Sequence, residues 1–89
     1  QNLETTMVTI YGSMTCFHCL RCKQMLESLE IEHEYLEVED AEVGRAFREL
    51  FPEAEGIPQI LWEGQHLGGY TELTHKIDEF ILNNEGETP

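Results

Sequence analysis

Two cysteines separated by two residues lie where a short β-rich run gives way to a segment with helical spacing. The run Met7–Tyr11 is rich in β-branched and aromatic residues and is followed by Gly-Ser, which predicts a strand that ends in a turn. Apolar residues then recur every three or four positions, which predicts a helix over residues 17–29. Cys16 therefore stands at the start of this helix and Cys19 one turn further on. A C-x-x-C motif between a strand and a helix is compatible with few folds and favours a βαβ unit.

Composition limits the chain to one globular domain. Its 89 residues are 40% hydrophobic and 26% charged, which is enough for a single small core. Eighteen Asp and Glu residues oppose five Lys and Arg, and the net charge of −13 excludes nucleic acid as a partner because phosphates would be repelled. We find no membrane-spanning run, no signal peptide and no secreted disulfide framework in the sequence. We therefore expect a cytoplasmic protein, which we also expect to be a monomer.

The rest of the chain predicts three more strands and two more helices. In chain order these are a strand at 34–38, a helix between Asp40 and Pro52, strands at 59–62 and 66–67, and a helix capped by Thr71. The apolar residues predicted to be buried are Cys19, Cys22, Met25, Leu26 and Leu29 in the first helix, Val43, Ala46, Phe47, Leu50 and Phe51 in the second, and Leu73, Ile77, Phe80 and Ile81 in the third. The order β-α-β-α-β-β-α predicts an α/β fold in which a four-stranded mixed sheet has helices on both faces. Its predicted limits are residues 7–84, between a loose tail at 1–6 and a frayed tail at 85–89.

The two cysteines of the motif are expected to differ in reactivity. A side chain at the helix start lies near unpaired N–H groups and the positive end of the helix dipole, which stabilise a thiolate at Cys16. Cys19 lies one turn into the helix on the side that faces the core, where burial disfavours a charged sulfur. This asymmetry predicts that Cys16 attacks a substrate disulfide and that Cys19 resolves the resulting mixed disulfide.

Other functions of the residues around the motif stay open at this point. A C-x-x-C pair is also half of many zinc sites, for which Cys22, His18 and His33 are available as further ligands. Cys22 has the spacing of a core residue, and its alternatives are a second resolving thiol or a ligand of an iron–sulfur site. His18 either favours the thiolate when it is protonated or is an ordinary surface residue. Arg21 and Lys23 form either a local positive patch or ordinary exposed positions.

Four segments in order resemble the glutaredoxin family over most of the chain, from about Met7 to Leu82. They are Val8-Thr9-Ile10-Tyr11, the C-x-x-C at Cys16 and Cys19, Gly56-Ile57-Pro58-Gln59-Ile60, and Gly68-Gly69-Tyr70-Thr71-Glu72-Leu73. The resemblance implies a thioredoxin-like fold and glutathione-linked thiol–disulfide exchange. It also implies that Ile57-Pro58 is a cis peptide facing the cysteines, where the Ile57 backbone can pair with an extended thiol peptide.

The resemblance further implies a groove for glutathione or another thiol. The candidate residues of this groove are Tyr11, Phe17, His18, Ile57, Pro58, Gly69, Tyr70 and Thr71, of which Tyr11 is equally well explained as a core or edge residue. Gly68 and Gly69 would let the backbone approach the ligand. Thr71 and the N–H groups of the last helix would hold the γ-glutamyl carboxylate of glutathione.

The chain departs from the family pattern at three places. Phe17-His18 stands where many members have Pro-Tyr or Pro-Phe, Ser13 where they have a lysine that contacts glutathione, and Gly56 where they have threonine. A histidine before the second cysteine is similar to the dipeptide of periplasmic thiol oxidases, which implies a more oxidising protein. The missing lysine implies weaker glutathione binding, for which Arg45 or Arg48 is the candidate replacement.

The resulting prediction is a glutaredoxin-like enzyme that reduces protein disulfides or the mixed disulfides of proteins with glutathione. Glutathione is the expected reductant, no metal is expected, and the resemblance implies ribonucleotide reductase as a client. The small size would also fit a phage-encoded electron donor. Two alternatives are kept. One is a redoxin of the same fold that is recharged by thioredoxin reductase, and the other is a metal or iron–sulfur binding module built on Cys16, Cys19 and Cys22.

Overall fold

The computed structural model describes residues 7–87, with side chains to residue 83. Its elements are β1 (Val8–Gly12), α1 (Phe17–Ser28), β2 (His33–Glu37), α2 (Ala41–Leu50), β3 (Gln59–Trp62), β4 (Gln65–Gly68) and α3 (Tyr70–Glu87). The order β-α-β-α-β-β-α is therefore confirmed. The tail predicted at residues 1–6 lies outside the described residues, as do residues 88 and 89 of the tail predicted at 85–89, and α3 extends to Glu87. Within the described part of the chain, no helix combines the length and the hydropathy needed to cross a bilayer.

The central strand of the sheet is β1, in the order β2-β1-β3-β4. It pairs in parallel with β2, where Ile10 lies opposite Tyr35, and antiparallel with β3, where Ile10 lies opposite Ile60. β3 and β4 form an antiparallel hairpin whose two loop residues, Glu63 and Gly64, both have positive φ, as two-residue hairpin loops favour. The mixed sheet and the thioredoxin-like fold are thus confirmed. Because β1 is central, the loop that carries the C-x-x-C motif emerges from the middle of the sheet.

Side-chain alternation along the strands gives the sheet two packed faces. On one face, Val8 and Ile10 are fully buried in a core that also receives residues from α1, β3 and α3. The buried members of this core are Val8, Ile10, Cys22, Leu26, Ile31, Ile60, Trp62, Leu73 and Ile77. On the other face, the Tyr11 ring lies 6.0 Å from the Phe47 ring and 5.5 Å from the Phe51 ring, between their centroids. Helices therefore cover both faces, as predicted.

Three residues predicted to be buried are exposed. In α2 these are Ala46 and Leu50, while Gly44 is buried in their place. The helix approaches the preceding segment so closely that a Cβ on Gly44 would lie 2.7 Å from the Val38 carbonyl oxygen. Since residues two and six positions after Gly44 lie on the opposite side of a helix, Ala46 and Leu50 face solvent. Leu29 is exposed because α1 ends one residue before it.

The start of α3 also differs from the prediction. The helix begins at Tyr70, so Thr71 lies within its first turn and does not cap it. The Glu72 carboxylate instead accepts a hydrogen bond from the Gly69 N–H at 2.9 Å. This is the contact that the third residue of a helix makes in a capping box, and it places a carboxylate at the positive end of α3.

The start of α2 agrees with the prediction and can be tested. The Asp40 side chain accepts hydrogen bonds from the N–H groups of Glu42 and Val43 at 3.0 and 3.1 Å. We expect Asp40→Ala to lower the free energy of unfolding by about 1 kcal/mol, because these N–H groups lose their partner. Urea unfolding followed by circular dichroism measures the change, and Asp78→Ala, at an exposed position inside α3, is the matched control. Equal losses in the two variants would show that the cap contributes no stability of its own.

Candidate functional site

Cys16 occupies the N-cap position of α1, at the end of the loop that follows β1. Its backbone is extended, with φ of −95° and ψ of 119°, and its sulfur accepts a hydrogen bond from the Cys19 N–H at 3.3 Å. The Cys16 side chain is half-buried, and all three cysteines are free thiols. The Cys19 N–H has no hydrogen-bond partner inside the helix, and the Cys16 sulfur lies at the positive end of the helix dipole. A hydrogen-bond donor and the positive end of the α1 dipole therefore both face the Cys16 sulfur.

Cys19 has the opposite environment, because its side chain is fully buried beneath the loop. Burial raises the pKa of the Cys19 thiol to about 12, and its hydrogen bond to Cys16 adds to the rise, while the Ser13 backbone acts in the opposite direction. Cys19 therefore carries its proton at neutral pH. One sulfur of the motif is accessible and receives an N–H, whereas the other is enclosed and neutral.

The loop between β1 and α1 is held by two carboxylates from the end of β2 and the residues after it. The Ser13 hydroxyl donates to Glu39 at 3.2 Å, and the Met14 N–H donates to Glu37 at 3.1 Å. The Cys16 N–H in turn donates to the Ser13 carbonyl at 3.2 Å. Neither glutamate is among the residues predicted from the sequence. The signal that could have identified them is the parallel pairing of β1 and β2, which brings the ends of both strands together.

Gly12, Ser13 and Tyr35 adjoin the Cys19 sulfur, and we call these three residues the Cys19 pocket. The Tyr35 hydroxyl donates to the Ser13 carbonyl at 2.7 Å. A Cβ on Gly12 would lie 2.8 Å from the Cys19 sulfur and 3.0 Å from the Tyr35 hydroxyl oxygen, so only glycine leaves room for both groups. Burial raises the pKa of Tyr35 above its usual range, and the Cys19 thiol beside it adds to the rise. Neither Gly12 nor Tyr35 was predicted as a site residue, because their proximity depends on the strand register.

A groove of about 360 Å³ opens beside the His18 end of the motif. It is lined by His18, Glu55, Gly56, Ile57, Pro58, Gln59, Gly69, Tyr70, Thr71 and Glu72. The structure thus brings six of the predicted groove residues to one cavity: His18, Ile57, Pro58, Gly69, Tyr70 and Thr71. The peptide between Ile57 and Pro58 is cis, in agreement with the resemblance.

Two of the predicted groove residues are not part of this lining. Tyr11 is only 8% exposed and packs against Phe47 and Phe51, because strand alternation turns it toward α2. Phe17 is the first residue of α1 and lies on the surface directly after Cys16, with 66% of its area exposed. Phe17 is therefore an exposed aromatic residue next to Cys16, whereas Tyr11 is buried between the sheet and α2.

Arg21 joins α1 to α3 at the edge of the groove. Its Nη2 donates to the Tyr70 hydroxyl at 3.2 Å, and its guanidinium carbon lies 5.6 Å from the centre of the Phe17 ring and 5.7 Å from that of Tyr70. Lys23 pairs with Glu27 one turn along the same helix. The two cations, for which the sequence left open a shared positive patch or ordinary exposed positions, thus have separate partners, and of the two only Arg21 contacts a residue of the groove.

The charge of the groove differs from what the resemblance implies. Ser13, at the position of the family's lysine, is 4% exposed and is hydrogen-bonded within the loop. Because serine is uncharged, this position supplies no cation. Arg45 and Arg48 lie on α2 and are not among the lining residues. Glu55 and Glu72 contribute two carboxylates to the lining, which the sequence did not lead us to predict. The groove is therefore less favourable to an anionic ligand than the resemblance implies.

Cys22 is fully buried in the core on the α1 side of the sheet. Burial raises the pKa of its thiol to about 12. Of the interpretations left open by the sequence, its position agrees with that of a small core residue. Among the residues that the structure describes, no group of three or more His, Cys, Asp or Glu side chains is arranged to hold a metal ion.

Comparisons with known proteins agree with this geometry. Residues 8–67 match the family model described as Glutaredoxin. Glutaredoxin 1 from Escherichia coli is 30% identical over 77 residues, which cover 79% of this chain and 91% of that protein. Glutaredoxin-1 from Rhizophagus irregularis is 28% identical over 84 residues, which cover 91% of this chain and 83% of the relative. The crystal structure of glutaredoxin 1 from Francisella tularensis, complexed with cacodylate, superposes with a TM-score of 0.72 at 28% identity, and the match covers 88% of this chain and 98% of that one.

Proposed function

This chain belongs to the glutaredoxin family and is a glutathione-linked thiol–disulfide oxidoreductase, and from that premise we propose that Cys16 is its nucleophile and Cys19 its resolving thiol. The observation that carries the assignment is the contrast between the two sulfurs. Cys16 is accessible and accepts an N–H at the start of α1, whereas Cys19 is buried and protonated. The thiolate is the attacking species in exchange, so the reaction begins at Cys16.

The proposed reaction has two steps. The Cys16 thiolate attacks one sulfur of a substrate disulfide, which forms a mixed disulfide at Cys16 and releases the other substrate sulfur as a thiolate. In the second step either Cys19 or the thiolate of glutathione attacks Cys16. Attack by Cys19 releases the substrate thiolate and leaves a Cys16–Cys19 disulfide that two glutathione molecules later reduce. Attack by glutathione at the Cys16 sulfur releases the substrate thiolate and leaves a Cys16–glutathione mixed disulfide, whose glutathione sulfur a second glutathione thiolate attacks to give oxidised glutathione and the free Cys16.

We place glutathione in the groove beside His18. The groove lies next to the cysteines and has a volume of about 360 Å³, which suits a small peptide that is covalently held at Cys16. The Ile57 backbone would pair with the extended peptide, and Thr71 at the start of α3 would face its γ-glutamyl carboxylate. Glu72 already accepts the Gly69 N–H, so one donor at this helix start is engaged.

The clients that we propose are disulfide-containing proteins and protein–glutathione mixed disulfides, with ribonucleotide reductase as one candidate. Glutathione and disulfide clients are the partners of the family as a whole. We infer that this chain works in the cytoplasm, because reduced glutathione is abundant in a reducing compartment. We also propose that it works as a monomer.

The experiment that tests the proposal compares two reductant systems. We expect the protein to turn over bis(2-hydroxyethyl) disulfide when glutathione, glutathione reductase and NADPH are supplied, and not when thioredoxin reductase and NADPH are supplied. Turnover with thioredoxin reductase is the specific alternative, because the family's glutathione-contacting lysine is replaced by Ser13 and because Glu55 and Glu72 line the groove. NADPH consumption measures both systems under the same conditions. Turnover with thioredoxin reductase alone would assign the chain to the glutathione-independent alternative.

A further inference from the structure

We propose that the Tyr35 hydroxyl assists the resolving step by donating a hydrogen bond to the Cys19 sulfur as that sulfur becomes an anion. The proposal rests on the proposed function, in which Cys19 attacks the mixed disulfide at Cys16. It gives Tyr35 a role when Cys19 resolves the mixed disulfide and none when glutathione does so.

The need for such a group follows from the burial of Cys19. Its side chain has no exposed surface, and burial raises the pKa of the thiol to about 12. The buried thiol therefore carries its proton at neutral pH. The resolving step therefore gains from any donor that stabilises the anion without admitting water.

The structure places the Tyr35 hydroxyl where it can meet this need. The point at which Gly12 would carry a Cβ lies 2.8 Å from the Cys19 sulfur and 3.0 Å from the hydroxyl oxygen. The Cys19 thiol beside it adds to the raised pKa of Tyr35. The missing side chain of Gly12 thus leaves a space that both groups adjoin.

The position of the ring is fixed, while its hydroxyl hydrogen can turn. Tyr35 lies on β2 opposite Ile10, and its ring packs against the core. Before the reaction the hydroxyl donates to the Ser13 carbonyl at 2.7 Å. Rotation about the bond between the ring and the oxygen redirects the hydrogen to the sulfur without moving the ring. The Ser13 carbonyl keeps a donor during this change, because it also accepts the Cys16 N–H.

The atoms balance with Tyr35 as a hydrogen-bond donor only. The Cys19 thiol loses its proton, and its sulfur attacks the Cys16 sulfur of the mixed disulfide. The bond between Cys16 and the substrate sulfur breaks, a Cys16–Cys19 bond forms, and the substrate leaves as a thiolate that takes up a proton. One disulfide is consumed and one is formed, so no further oxidant or reductant is needed. Tyr35 keeps its proton throughout, as its raised pKa requires.

The test separates the two chemical steps in a single turnover. The reduced protein is mixed with bis(2-hydroxyethyl) disulfide and quenched with acid, and intact mass distinguishes the mixed disulfide from the Cys16–Cys19 disulfide. We expect Tyr35→Phe to slow the second step about tenfold, because a hydrogen bond to a charged group is lost, and to leave the first step unchanged. The matched control is the same change in a Cys19→Ser background, where the second step is absent and the rate of the first step should not respond to Tyr35→Phe.

The possible outcomes have different meanings. Equal slowing of both steps would show that Tyr35 only holds the loop through Ser13, and an unchanged second step would show that its hydroxyl is not used; either result overturns the proposal. If the Cys19→Ser protein forms no mixed disulfide, the proposed function itself fails. Tyr35→Met, which also removes the hydroxyl, is the second variant if Tyr35→Phe does not fold. If neither folds, the hydroxyl serves the fold and the proposal is wrong.

Discussion

Replacing Cys16 with serine is expected to reduce thiol–disulfide exchange by at least about a thousandfold, to the uncatalysed rate. The Cys16 sulfur is the accessible one of the motif, and it accepts the Cys19 N–H at the start of α1. A serine hydroxyl can accept the same hydrogen bond, so α1 keeps its cap. The hydroxyl does not ionise at neutral pH and forms no disulfide. The loss is therefore chemical, and the variant should keep its secondary structure.

The measurement is the turnover of bis(2-hydroxyethyl) disulfide with glutathione, glutathione reductase and NADPH. The matched control is Cys19→Ser, which removes the other sulfur of the same motif. We expect this control to retain turnover, because a second glutathione can resolve the mixed disulfide at Cys16, and to accumulate mixed disulfides with protein substrates. The reverse pattern, with Cys16→Ser active and Cys19→Ser inactive, would exchange the roles of the two cysteines.

The fold could be predicted because the spacing of apolar residues changes with each element. Val8 and Ile10 alternate with Thr9 and Tyr11 along β1, and the structure places Ile10 and Tyr11 on opposite faces of the sheet. The helical spacing begins after Cys16, and α1 begins at Phe17. Local signals of this kind depend only on neighbouring residues, so a single sequence is sufficient to interpret them.

The orientation of α2 could not be predicted in the same way. Its apolar residues allow more than one buried face, and the sequence alone favoured the face that includes Ala46 and Leu50. The backbone contact at Gly44 decides the orientation, because a helix can approach Val38 this closely only where it has no side chain. Such a contact depends on distances between elements, which periodicity does not contain.

Some residues of the groove could be predicted from short sequence motifs, whereas others are brought to it only by the fold. Its predicted residues, among them His18, Pro58 and Tyr70, belong to short motifs that a resemblance can identify. Glu55 and Glu72 come from the segment before Pro58 and from the first turn of α3, and only the fold brings their carboxylates to one cavity. The acidic composition was visible from the start, but the position of Glu55 and Glu72 beside this groove was not.

The Cys19 pocket forms only when the fold brings its residues together, so it could not be predicted from the sequence. Substitution of its glycine, Gly12, is the second change for which we expect a large effect. We expect Gly12→Ala to lower the free energy of unfolding by about 2 kcal/mol, because the new methyl group overfills a packed site. The methyl carbon would lie 2.8 Å from the Cys19 sulfur and 2.9 Å from the Cys19 Cβ, so the start of α1 would have to move. Urea unfolding of the reduced protein measures the loss.

The matched control for this change is Gly56→Ala, because a Cβ on Gly56 would have no heavy atom of the described residues within 4 Å. We expect its stability to stay the same or to rise slightly, since alanine lowers the entropy of the unfolded chain. A difference between the two variants then measures the steric cost of the added methyl group in the Cys19 pocket. If Gly12→Ala is as stable as Gly56→Ala, α1 can shift freely against β1, and the close approach of Cys19 to Gly12 and Tyr35 is not a constraint on the site.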